Sequence, residues 1–195
     1  MRKGTKTART ALVLMIMVVT VMLLYHHMVN KVRSSQVPET VSAVQNVLLV
    51  KLEKSYPATP REVLKFYNEI LQCYYNEDCT EEEIEQLAEK AWQMYDDELI
   101  EKQNWDSFLL ALKAEIQSYK EKDKVISSAA PASSTDVDYY KYEGRECANI
   151  RCAYTMREKT SLSVVKEIYV LRKDDQGHWK ILGWELIQDE DQENK

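Results

Sequence analysis

The stretch Cys147-Ala148-Asn149-Ile150-Arg151-Cys152-Ala153-Tyr154-Thr155-Met156 decides the fold. Ala148, Ile150, Cys152, Tyr154 and Met156 alternate with Cys147, Asn149, Arg151, Ala153 and Thr155. A period of two marks a strand with one buried face. Toward the C-terminus, residues 164–172 form a β-branched run and residues 177–187 a further strand. Asp174-Asp175-Gln176-Gly177 joins them as a hairpin with glycine at the left-handed position. Residues 125–130 and 137–142 also read as strands, and Glu143-Gly144 is the turn before the alternating stretch.

Before Lys124 the period is that of a helix. Thr59-Pro60-Arg61-Glu62 combines a capping box with proline at the first helical position. Val63, Phe66, Tyr67, Ile70, Leu71 and Tyr74 then share one face, and Asn76-Glu77-Asp78 ends the helix. A second capping box stands at Thr80-Glu81-Glu82-Glu83, ahead of Ile84, Leu87, Ala88, Ala91, Trp92 and Tyr95. A third helix starts near Asn104 and carries Trp105, Phe108, Leu109, Leu112, Ile116 and Tyr119. Helices first and an antiparallel meander after them predict an α+β domain over 59–187. About three helices pack on one face of a curved sheet of four to five strands.

The N-terminal region reads differently. Residues 11–25 contain no charge and no helix breaker, and Arg2, Lys3, Lys6 and Arg9 precede them. A span needs about 20 mostly apolar residues, a length reached over 10–29 when Tyr25, His26 and His27 sit at the headgroups. A single transmembrane helix at 10–29 is the preferred reading. A cleaved signal peptide stays open as the alternative, although no small-x-small site follows. The cation bias places the basic tail 1–9 in the cytoplasm and the C-terminal domain outside the cell membrane. Residues 30–58 are a stalk or an N-terminal helix, with Val41, Val44, Leu48 and Leu52 at helical spacing. Val47-Leu48-Leu49-Val50 also fits a strand. Residues 188–195 are an acidic tail, expected to be disordered.

Charge narrows the partners. Taking the six cations of the first 33 residues from the chain's 26 leaves 20 against 32 acids, a net charge of −12. Such a domain repels phosphate backbones, so nucleic acid is not an expected partner.

The chemistry-bearing residues are few. Tyr154, Met156, Trp179 and Trp184 are candidates to line a concave pocket, although aromatics at strand spacing are more often plain core. Asp136 and Asp138 share one face of a strand near Tyr140 and Tyr142. Their neighbours Ser133, Ser134 and Thr135 point to an exposed edge with solvated carboxylates. His178, the only histidine after residue 27, reads as a surface residue at a strand start, and no catalytic triad can be assembled around it. Cys73 and Cys79 flank a helix–helix corner, as a disulfide or as two ordinary thiols. Cys147 and Cys152 have opposite parity on one strand and should not bond to each other. No histidine neighbours either pair, so a zinc site is not expected. No catalytic, metal or cofactor site is expected.

Three helices and a meander closing on Gly177-His178-Trp179-Lys180-Ile181-Leu182-Gly183-Trp184-Glu185-Leu186 resemble the nuclear-transport-factor-2-like, or cystatin-like, α+β roll. Residues 56–75 are also similar to uncharacterised membrane-anchored proteins of gut Firmicutes. The likeness spans residues 59–186, and the hairpin that this roll commonly carries between its helices is not visible. The resemblance implies a fold that hosts isomerases, dehydratases, secretion-scaffold subunits and binding domains, so no single function follows from it. In its isomerase-like branch an acidic base and a tyrosine work between sheet and helices. The expected function is a non-catalytic, membrane-anchored, extracytoplasmic domain that binds a protein or a small ligand. The alternatives are a scaffold subunit of a secretion or conjugation assembly and an isomerase- or dehydratase-like enzyme.

Overall fold

Each helix begins at a residue whose side chain caps it. In a computed structural model that describes residues 42–187, Ser42 accepts from the Gln45 amide to start α1 (Ala43–Leu49). Thr59 and Glu62 exchange hydrogen bonds at the head of α2 (Pro60–Asn76), and Thr80 and Glu83 do so for α3 (Glu81–Met94). Asp96 caps the short α4 (Asp97–Glu101), and Asn104 caps α5 (Trp105–Glu121). These caps satisfy amide groups that a helix start leaves unpaired. The helix expected within 30–58 reduces, among the described residues, to the seven residues of α1. The fourth helix is an addition to the three expected: five residues carry too little periodicity to announce it.

The strands are β1 (Lys124–Pro131), β2 (Asp138–Tyr142), β3 (Arg145–Glu158), β4 (Ser161–Lys173) and β5 (Trp179–Leu186). They form one antiparallel sheet in the order β1-β3-β4-β5, with β2 also on β3. β1 pairs with residues 152–158 of β3 and β2 with residues 145–149, so the two short strands share one edge. Between them lies a 3₁₀ turn, Ser134–Asp136. Asp136 therefore sits in that turn and not on a strand beside Asp138, and both are exposed. Glu143 (φ 50°) and Gly144 (φ 82°) make the two-residue turn into β3, whose positive φ values match the twist of a hairpin.

Ala148, Ile150, Cys152, Tyr154 and Met156 point into the core with Tyr169, Leu171 and Ile181. From the helix side they meet Val63, Leu64, Ile70, Leu87, Ala88 and Met94. The result is an α+β fold with helices packed on an antiparallel sheet, compatible with an α+β roll. Among the described residues no helix is long and apolar enough to cross a membrane. The expected anchor at 10–29 and the tail at 188–195 lie outside the described residues.

Candidate functional site

Helix α5 presents Phe108, Ala111, Leu112, Glu115 and Tyr119 at three- and four-residue spacing, one continuous stripe. Helix α2 turns Tyr67, Leu71, Tyr74 and Tyr75 toward the same space. The sheet closes it with Tyr154 and Met156 of β3, Val165, Glu167 and Tyr169 of β4, and Trp184 of β5. Together they enclose a cavity of about 280 Å³. Its walls pack ring on ring: Tyr169 stacks on Trp184 (5.9 Å between centroids), and Tyr75 on Tyr119 (4.1 Å). An apolar cavity of about 150 Å³ already holds benzene, so this one has room for a ring and a short side arm.

A line of polar groups crosses the floor. Asn68 Nδ2 donates to Cys152 Sγ (3.4 Å), which turns the amide oxygen toward Tyr154. Tyr154 Oη donates to that oxygen at 2.7 Å and lies 2.8 Å from Tyr169 Oη. Tyr169 Oη is 2.7 Å from Glu167 Oε2. Two hydroxyl protons serve three contacts, so the chain is complete only when Glu167 carries a third. Burial pushes the Glu167 carboxyl up, the Tyr169 hydroxyl pulls it down, and the charge of Glu115 adds to the rise. Burial likewise raises the wall phenols, with Tyr95 pushed up to about 12, so they stay protonated at neutral pH.

One wall group lacks a partner. Tyr74 is 2 % exposed, and its hydroxyl makes no hydrogen bond among the described residues. An unmade bond at a buried donor costs about 1–3 kcal/mol, unless something not part of the chain supplies the partner.

Of the expected lining residues, Tyr154, Met156 and Trp184 stand in this cavity. Trp179 does not: it packs against Tyr139 (5.8 Å) under the Lys173 ammonium, in a separate and more open pocket of about 470 Å³. One extra residue at Leu182 restores both tryptophans to the same face of β5 despite their odd spacing. Five residues of strand still separate them by roughly 16 Å. His178 lies beyond the cavity, with its ring 4.4 Å from that of Tyr56 and Nδ1 3.5 Å from Asp174. Cys73 and Cys79, the pair at the helix–helix corner, stand side by side in this structure. Both thiols are free, and Cys79 Sγ turns to the Cys73 carbonyl at 3.3 Å. Cys147 and Cys152 are free as well, on opposite faces of β3. Among the described residues no three His, Cys, Asp or Glu side chains stand together as metal ligands.

Glu167 and Tyr74 were not among the candidates. The available signal was parity, because Glu167 shares the inward register of β4 with Tyr169 and Leu171.

The chain belongs to the family described as Domain of unknown function (DUF6715), whose model matches residues 1–184. No curated protein matches it.

Proposed function

We propose that this protein is a non-catalytic binding domain, held at the outer face of a cell membrane by residues 10–29, that takes a small organic ligand between its helices and its sheet. The cavity carries this reading. It is walled largely by aromatic rings, with Glu167 and the Tyr154 and Tyr169 hydroxyls linked in one polar chain along it. Concave, mostly apolar spaces with a few placed polar groups are where small molecules bind. The α+β arrangement supports the finer reading of the fold as a nuclear-transport-factor-2-like roll, which holds its ligands in the corresponding space. The apolar run at 10–29 and the cations before it support the anchor and its orientation.

Ala111 gives a test, since it lines the cavity and is exposed. Neutral indole should raise the melting temperature of the protein saturably with concentration. Ala111→Trp, which fills the mouth from a solvent-facing position, should remove that rise and leave the fold intact. Absence of binding by the unaltered protein would overturn the cavity reading.

One observation favours a second reading. The half-buried Glu167, joined to two tyrosines, is the group that an isomerase- or dehydratase-like reaction would use. The exposed Asp136 and Asp138 and the outlying His178 are poorly placed for it. That reading requires turnover of a small carbonyl or hydroxyl compound that Glu167→Gln abolishes.

A further inference from the structure

Two of the three charged side chains that line the cavity are carboxylates. Glu115 stands at the exposed rim and Glu167 half-buried in the wall. Among the described residues neither forms an ion pair, although seven Lys or Arg ion pairs elsewhere hold cations and acids together. The third charge, Lys124, is already engaged: its ammonium lies 4.7 Å from the centroid of the Tyr119 ring. The rest of the wall is tyrosine rings with Phe108 and Trp184, interleaved with aliphatic side chains such as Leu71, Leu112 and Val165. Aromatic faces attract cations through their quadrupole, and the attraction grows as water is excluded. The surrounding domain is itself strongly acidic, which raises the local concentration of small cations.

Resting on the small-ligand reading above, we infer that the cavity selects an organic cation: a primary or secondary ammonium on an aromatic or compact aliphatic body. The body lies among the tyrosine rings, and the ammonium faces Glu167 and Glu115. Glu167 has two ways to be neutralised here, a proton that completes the chain to Tyr169 and Tyr154, or a cationic ligand that displaces it. An anion of the same size would meet the Glu115 carboxylate and the carboxyl of Glu167, and a neutral alcohol would bring no charge to either.

Three probes of matched shape separate the possibilities: phenethylamine, phenethyl alcohol and phenylacetate, each titrated calorimetrically against the full-length protein at pH 8 and low salt. The amine should bind at least tenfold more tightly than the alcohol, a difference of about 1.4 kcal/mol, and phenylacetate most weakly. Glu167→Gln should bring amine and alcohol within threefold of each other. Glu115→Gln, at an exposed position that cannot affect folding much, should reduce the amine's advantage by a smaller factor. If the alcohol binds as well as the amine, the cation inference fails and the cavity reading stands. If none of the three binds, both fail.

Discussion

Among the described residues Arg172 and Asp96 form a buried ion pair. Asp96 is 2 % exposed and Arg172 8 %. Arg172 Nε reaches Asp96 Oδ2 at 3.0 Å, its Nη2 donates to Oδ1, and its Nη1 lies 3.1 Å from Glu98 Oε2. The same aspartate caps α4 through the Glu98 amide and donates its own backbone N–H to Ile181 (2.8 Å). Removing one partner of a buried pair strands the other charge, so Asp96→Ala should lower unfolding free energy by about 3–5 kcal/mol in urea titrations. Burial pushes the Asp96 carboxyl up, but the hydrogen bonds and charge of Arg172 outweigh it and hold the pKa below its ordinary value. A lowered folded-state pKa contributes stability above the unfolded value, roughly pH 3.9, that is lost as pH falls through the folded one. The acid limb of the stability curve should therefore begin near pH 4. In Asp96→Asn the curve should sit lower above about pH 4 and converge on that of the unaltered protein in acid, giving a shallower acid limb.

At the scale of elements, turns test the backbone alone. Gly177 has φ 85° and nothing within 4 Å of the place where a Cβ would stand, whereas Gly183 is equally open without a positive φ. Gly177→Ala should cost about 1–2 kcal/mol, the penalty of the left-handed region. Gly183→Ala should be neutral within about 0.5 kcal/mol, and thermal unfolding of the two variants reads the difference. The starts of α2, α3 and α5 were legible in the sequence because a cap is local: Thr59, Thr80 and Asn104 each signal within three residues. The strand pattern was legible for the same reason, alternation needing only a few neighbours. The Asp96–Arg172 pair was not, since 76 residues separate its members. The cavity was legible only in halves. Tyr154 and Met156 announce an inward sheet face, and Tyr67 and Tyr74 an inward helix face. Whether two such faces touch or stand apart depends on how the helices cross the sheet, which no local pattern encodes.

For the whole molecule, location is the leading question. A C-terminal alkaline phosphatase fusion, active only when exported, should be active on the full chain. The protein should resist extraction from membranes by carbonate. Replacing Arg2, Lys3, Lys6 and Arg9 by neutral residues should lower the exported fraction. An inactive fusion, or release by carbonate, would refute the anchored, outward-facing arrangement. The shared edge of β1 and β2 adds a consequence of a different kind. An open sheet edge is a template on which a neighbouring chain can add a strand, and long flat edges aggregate. Here Pro131 ends β1 without an N–H, the Ser134–Asp136 turn steps out of line, and β2 resumes for only five residues. A foreign strand would find two short registers that do not join, so this side of the domain resists amyloid-like stacking even where many copies crowd together.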